Sequence, residues 1–278
     1  MARRPVIALL TDFGAQDAYV ASMKGVVLGI APDATIVDIT HAVPPQDIYA
    51  GAFLLETCID AFPPGTIYVC VVDPGVGTQR HPIVLKSPHG TFVGPDNGVF
   101  SYVVARHREG TAVAEPAPPQ VCATPLPSLV TAHVITDRAL MRATVSNTFH
   151  GRDVFAPVAA HLANGLSVDH VGKPTVEVQA FAPPRPAREP GGAVAGSVIH
   201  VDGYGDLITN LVPEGLPTRP VFHIGGATIR GLSSSYQDGG PLVALVGSSG
   251  YVEVALRNGN ASLALGTTRW ATVTVVPG

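Results

Sequence analysis

Apolar runs and their spacing divide the chain into two unlike parts. PVIALLTD (5–12) is a continuous apolar, β-branched run that ends on turn residues, the pattern of a buried strand. In DAYVASMKGVVLGIA (17–31), Val20, Met23, Val27 and Ile30 recur at helical spacing. TIVDIT (35–40) reads as a second strand. Residues 46–62 read as a second amphipathic helix, entered from Pro44 and Pro45, where proline is tolerated. GTIYVCVVD (65–73) reads as a third strand. Strands and helices alternating through short connections predict right-handed crossovers and a mainly parallel sheet. HPIVLKS and GTFVG, joined by PHG, predict a hairpin, and 98–106 and 152–164 predict further helices. Residues 110–146 leave several short strands open.

The pattern then breaks. In FAPPRPAREPGG (181–192) six of twelve positions are proline or glycine and none is periodic, so it reads as a linker. Beyond it come short β-rich runs: AVAGSVIHVD, LITNLV, VFHIGG, ATIRGL, PLVALVG, YVEVAL, ASLALG and WATVTVV, with Trp270 expected in the core. Regular turns separate them, as in a small antiparallel barrel or sandwich. The expected architecture is an α/β N-terminal domain with a mainly parallel sheet over 1–180, a linker over 181–192, and a small all-β, barrel-like C-terminal domain over 193–278.

Composition narrows the class. With 278 residues, 46% of them hydrophobic, two cores can be buried. No apolar run reaches the roughly 18 residues of a membrane span. The basic tip MARR is followed by a short apolar run that stops at Thr11 and Asp12, unlike a signal peptide. The expectation is a cytoplasmic protein with no membrane partner. A net charge of −4 without a basic stripe argues against nucleic acid. The cysteines (Cys58, Cys70 and Cys122) are odd in number and lack CxxC spacing, so they read as small buried hydrophobes rather than bridges or metal ligands.

The candidate chemistry gathers at strand ends. The first strand delivers Asp12, the second Asp38 and then His41, and the third Asp73. In open α/β sheets, ligands bind outside the carboxyl ends of strands. Any one of these acids can equally cap a helix. Three together, with Arg80 after the glycine turn DPGVG, with PDNG (95–98) and with FHGRD (149–153), favour a site. No GxGxxG, GxxxxGK[ST], HExxH or GxSxG is present. Two chemistries stay open on the residues alone. One is a metal site drawn from Asp12, Asp38, His41, Asp73 and His150, giving a phosphoesterase, though without tight ligand pairs. The other is a metal-free pocket whose acids hold a ribose diol and a cationic ligand.

LLTDFGAQDAYVASMKGVV, IVDITHAVPPQDIYAGAFLL, FPPGTIYVCVVDPGVGTQR, GPDNG and TFHGRDVFAPVAAHLANG, continued by VDGYGDLITN and GSSGYVEVALRNG, resemble the S-adenosyl-L-methionine hydroxide adenosyltransferase family over nearly the whole chain. These are hydrolases related to the fluorinase and chlorinase. The resemblance implies conversion of S-adenosyl-L-methionine and water to adenosine and L-methionine without a cofactor or metal. It also implies a homotrimer with active sites between neighbouring subunits. The family's Asp, Arg and His set falls on Asp73, Arg80 and His150. The halogenases place Tyr at the Asp73 position. By position, Asp12 meets the ribose hydroxyls, Tyr19 and Gln46 lie around ribose and adenine, and Phe149 and Gly151 line the reacting centre. In the second domain, Asp202, Asp206 and Ser248 meet the methionine amine and carboxylate and Tyr236 stacks on adenine, with Tyr204 in the same binding set. Two departures stand out: Ser249 occupies a position that is Arg in the halogenases, and the VDGYGD turn is one residue shorter. Halogenation, metal-dependent phosphoester hydrolysis and non-catalytic binding of S-adenosylmethionine or adenosine are the alternatives. On residue statistics alone, His150 reads as a helix cap, Arg80 as a surface residue, and Tyr204 and Tyr236 as core or rim aromatics.

Overall fold

The computed structural model describes residues 4–108 and 117–278. They form two compact units, the first comprising the residues up to 108 with Gln120–Ala182, the second Pro183–Gly278 with 117–119. The basic tip at 1–3, and the part of the open stretch 110–146 that falls at 110–116, lie outside the described residues.

The first unit begins β1 (Val6–Thr11), α1 (Tyr19–Ile30), β2 (Thr35–Thr40), α2 (Ile48–Cys58) and β3 (Ile67–Val71). The hairpin β4 (Pro82–Ser87) and β5 (Gly90–Pro95) follows, then α3 (Ser101–Ala105), β6 (Cys122–Pro125), β7 (Thr131–Ile135), α4 (Ala156–Ala163), β8 (Gly172–Thr175) and β9 (Glu177–Ala180). The main sheet has the order β2-β1-β3-β5-β4-β7-β8, and β6 pairs β9 apart from it. β1 pairs β2 and β3 in parallel, and β3 pairs β5 in parallel. The β5–β4, β4–β7 and β7–β8 pairings are antiparallel. The sheet is therefore mixed, not mainly parallel. After β3 the chain forms the β4–β5 hairpin expected from PHG, β5 joins β3 in parallel, and β4, β7 and β8 follow with alternating direction.

The central strands are buried on both faces, which is why they read as continuous apolar runs. Ile7 and Leu9 of β1 pack with Met23 and Val27 of α1 and with Ala156, Ala159 and Ala160 of α4. Ala8 and Leu10 pack on the opposite side with Leu55 of α2 and Val103 of α3. Leu9 and Leu10 are fully buried, each stabilising the fold by about 2 kcal/mol. Asp47 caps α2 by accepting from Ala50 N (3.0 Å), so that helix starts at Ile48 and not at Gln46.

The second unit contains β10 (Ala187–Arg188), β11 (Val194–Val201), β12 (Leu207–Thr209), β13 (Pro220–Ile224), β14 (Ala227–Arg230), β15 (Leu242–Val246), β16 (Val252–Leu256), α5 (Ala261–Leu265) and β17 (Thr272–Pro277). Its described pairings are all antiparallel, along the path β14-β13-β17-β11-β12-β16-β15 with β10 against β11. Just past β14, Ser233 N donates to Ala244 O in β15 (2.7 Å), which draws the two ends of the path together and nearly closes a barrel. ASLALG is a helical turn, α5, not a strand. Asn260 Oδ1 accepts from Leu263 N (2.7 Å) and Gly266 ends the turn at φ 56°, so the two caps override the apolar pattern and leave Leu263 exposed. Trp270 is half-buried just before β17 at φ 73°, outside both strand and core. Within 181–192, Phe181 is buried against Tyr49 and Tyr102, and Ala187–Arg188 pairs with β11. Cys70 is buried, but Cys58 is only half-buried and Cys122 is exposed, because it faces outward at the start of the short β6.

Candidate active site

A cavity of about 360 Å³ lies in the first unit, lined in part by Asp12, Tyr19, Gln46, Asp73, Phe149, His150 and Gly151. Asp12 follows β1, Gln46 lies between β2 and α2, and Asp73 follows β3. The carboxyl ends of adjacent parallel strands thus supply one wall, as strand polarity predicts.

Asp73, Arg80 and His150 form one hydrogen-bonded set. Arg80 Nε donates to Asp73 Oδ1 (2.9 Å) and Arg80 Nη2 donates to Asp73 Oδ2, a two-pronged pair. The same Nη2 lies 2.9 Å from His150 Nδ1. Both side chains of the ion pair are nearly buried, and the guanidinium sits 5.2 Å from the centre of the Phe155 ring. The turn that returns Arg80 to Asp73 depends on Gly77. Its φ is +75°, and a Cβ there would lie 2.3 Å from the Asn147 carbonyl oxygen. Only a glycine lets this turn lie against the strand of loop that delivers His150. His150 makes no capping bond to the π-helical turn Gly151–Phe155 that it precedes, so the helix-cap reading does not hold.

Chemistry fixes the ring's hydrogen placement. A guanidinium only donates, so His150 Nδ1 accepts and the neutral imidazole carries its hydrogen on Nε2. Burial, reinforced by the Arg80 charge, lowers the His150 pKa and favours this neutral form. Burial raises the Asp12 pKa against the backbone bond it accepts from Gln46 N, and Asp73 adds to the rise. That bond measures 2.7 Å and is made by Gln46 in a left-handed conformation (φ 65°). Phe13, Tyr19 and Phe149 form an aromatic triangle with centroids 5.2–5.7 Å apart. A Cβ on Gly151 would meet Met23 Sδ at 3.1 Å and the Phe13 ring at 3.3 Å.

Other flagged residues support the cavity from behind. Asn97 Nδ2 donates to Val72 O (2.9 Å), holding the residue before Asp73, and Asp96 accepts from Gln179 N (2.7 Å). Asp38 accepts from Lys24, His41 Nδ1 shares a hydrogen bond with Thr11, and Asp38 and His41 are in polar contact with each other rather than with Asp12 or Asp73. Among the described residues no group of three or more His, Cys, Asp or Glu side chains is arranged to hold a metal ion. Asp153 carries no role in the sequence reading, yet it is fully buried. It accepts from Arg152 Nε (2.7 Å) and Ser146 N (2.9 Å), and Arg152 lies over the Phe149 ring at 4.9 Å. It sits in the flagged FHGRD motif, which was the available signal.

The second unit has its own cavity, lined by Tyr204, Asp206, Tyr236, Arg257 and neighbours. Asp202 is not in that lining; its Oδ1 accepts from the backbone N–H groups of Tyr204 and Asp206, both at 2.9 Å. Ser248 is exposed and Ser249 half-buried on the turn between β15 and β16, and neither lines the cavity. Burial, followed by the charges of Asp202 and Glu253, pushes the Asp206 carboxyl up to about 6. The buried Glu253, unassigned from sequence, accepts from the Tyr236 hydroxyl. Arg257 donates to the carbonyls of Tyr236 (3.1 Å), Gln237 (2.9 Å), Gly239 (3.1 Å) and Gly240 (3.1 Å), fixing the Tyr236 loop. Their signal, an acid on the otherwise apolar β16 and an arginine just past its end, is visible only once the fold brings the Tyr236 loop against them.

Comparison with known proteins places these features. The SAM hydroxide adenosyltransferase N-terminal domain model matches residues 7–172, and the C-terminal domain model matches 196–274. The chain is similar to the (R)-S-adenosyl-L-methionine hydrolase of Thermus thermophilus, with 38% identity over 95% of this chain and 96% of the relative. It is also similar, at 26% identity over 74% of this chain and 72% of the relative, to the fluorinase of an Actinoplanes species. The solved structure of an uncharacterized conserved protein from Thermotoga maritima superposes with a TM-score of 0.83 and 32% identity, covering 97% of this chain and 99% of that one. With both of its domains matched in order and the Asp73–Arg80–His150 set assembled in the first, the chain belongs to the SAM hydroxide adenosyltransferase family.

Proposed function

We propose that this protein hydrolyses S-adenosyl-L-methionine, in the (R) form for which its relatives are named, to adenosine and L-methionine. The observation that carries the reading is that Asp73 and His150 line one cavity with Asp12 while Arg80, outside the lining, ties the two together. The reacting carbon is C5′ of a sulfonium. Its leaving group is a neutral thioether and needs no acid, so the demand falls on the nucleophile. Water must be held opposite sulfur and shielded from bulk solvent. With His150 Nδ1 committed to Arg80, its Nε2–H is a donor that orients the water oxygen. This leaves the Asp73 carboxylate to accept a water hydrogen and take the proton as the C–O bond forms and the C–S bond breaks. Arg80 holds that carboxylate in place and balances its charge. A carboxylate at position 73 repels a halide, which favours hydrolysis over halogenation.

The remaining roles are proposals on the same footing. Asp12 accepts the ribose hydroxyls, and Tyr19, Gln46, Phe149 and Gly151 surround ribose and the reacting centre. Asp202, Asp206 and Ser248 face the methionine end, Ser249 leaves its carboxylate to backbone N–H groups, and Tyr204 and Tyr236 border adenine. We propose no cofactor, a cytoplasmic location, which three free cysteines favour, and a homotrimer whose active sites form between neighbouring subunits. Incubation with each sulfonium epimer, with and without chloride and EDTA, and product analysis by mass spectrometry tests the reading. Adenosine and methionine from the (R) form support it. A 5′-chloro nucleoside assigns a halogenase, loss of activity in EDTA a metal enzyme, and bound but unchanged substrate a binding protein.

A further inference from the structure

Lys24, Asp38 and His41 stand outside the lining of the cavity, yet they form a run of polar contacts that ends at Thr11, the residue before Asp12. Lys24, on α1, donates to Asp38 Oδ2 (2.6 Å). His41 Nε2 lies 3.1 Å from Asp38 Oδ1, and His41 Nδ1 lies 2.9 Å from the Thr11 hydroxyl. His41 Nδ1 and the Thr11 hydroxyl thus share a hydrogen bond, while Nε2 meets Asp38 as a close polar contact rather than an aligned hydrogen bond. Thr11 Oγ1 in turn accepts from Phe13 N (3.2 Å), and Thr11 is fully buried. The His41 backbone joins in, since its carbonyl accepts from Gly14 N (2.8 Å). The residues that carry Asp12 and Phe13 into the cavity are thus tied to His41 at both ends. No regular secondary structure holds them otherwise, and Gly14 sits at φ 69°. A bulge at Ile39, between the Leu9–Asp38 and Leu10–Thr40 pairs, re-aims the end of β2 at this point.

We infer that Thr11, His41, Asp38 and Lys24 are positioning residues that set the geometry with which Asp12 holds the ribose. The identity of that ligand rests on the hydrolase reading above. The chain joins three elements that supply cavity walls: the end of β1, the β2–α2 connection and α1, whose first residue is Tyr19. Ribose hydroxyls change little between substrate and transition state, so a slackened Asp12 weakens both alike and appears in KM, not kcat.

The test is steady-state kinetics of Thr11→Val, which keeps the buried volume and removes the hydroxyl, beside Thr11→Ser, which restores it. Thr11→Val is expected to raise KM about tenfold with kcat within about threefold, and Thr11→Ser to stay within about twofold of wild type. Asp38→Asn, at the exposed end, raises KM in the same sense and carries the test should Thr11→Val fail to fold. An unchanged KM, or a fall in kcat that merely follows the melting temperature, overturns the inference. If the wild type shows no turnover, calorimetric titration with adenosine replaces KM. Weaker binding by Thr11→Val then sustains the positioning role while the hydrolase reading falls, and a wild type that binds no adenosine overturns both.

Discussion

Arg80 joins Asp73, seven positions before it, to His150, 70 positions after it, and its fork is what allows it. Nε and Nη2 grip Asp73 while Nη2 also reaches His150. A lysine keeps the charge but is a single point donor on a flexible stem. Arg80→Lys is therefore expected to lower kcat about 10²–10³-fold with KM changed far less, measured by adenosine release; activity within twofold of wild type would refute this role. Asp73 and Arg80 were legible as chemistry from sequence because an acid and a cation flanking a glycine turn have no structural need of each other. His150 was not legible without the resemblance, since a histidine before a helix reads first as a cap. Asp206 offers a test by pH. Its carboxyl, pushed up to about 6 from 3.8, holds a proton in the folded chain where the unfolded chain has already released it. That contribution is full below about pH 4 and lost as pH rises through about 6. Asp206→Asn cannot ionise, so it is expected to be more stable than wild type by about 1–2 kcal/mol at pH 7.5, with the gap closing toward pH 4 in denaturant titrations. A gap that widens on acidification contradicts the assignment.

Among elements, the decisive one is the turn from Asp73 to Arg80 packed on the loop before the π-helical turn. Gly77 sits at a left-handed φ with no room for a Cβ against Asn147. Gly77→Ala is expected to cost about 1–3 kcal/mol in denaturant unfolding and to lower kcat by parting Arg80 from His150. Full activity with unchanged stability would show the contact to be dispensable. The sequence pattern located β1, α1, β2, α2 and β3 because each is an uninterrupted periodic run. It anticipated the β4–β5 hairpin from its PHG turn, but not the antiparallel addition of β7 and β8, which rests on long-range pairing and not on local apolar spacing. It misread α5 because five residues of ASLALG suit either period, and the Asn260 and Gly266 caps decide.

At the scale of the whole molecule, the groups proposed for ribose and water lie in the first unit and those proposed for the methionine end in the second. Linker composition and the change from helical to short β periodicity announced two units. Glu253, on β16, and Arg257, just past it, stayed hidden because their partners in the Tyr236 loop are remote in sequence. For the proposed homotrimer, analytical ultracentrifugation is expected to give about three times the chain mass of 28.7 kDa. A monomeric mass would contradict active sites shared between subunits. The central claim is that water itself attacks C5′, and a single turnover in ¹⁸O-labelled water tests it most directly. Adenosine bearing the label at its 5′ oxygen, with unlabelled methionine released and no label incorporated by Asp73→Asn, is the predicted result. Unlabelled adenosine, or label appearing in the methionine fragment, would contradict it.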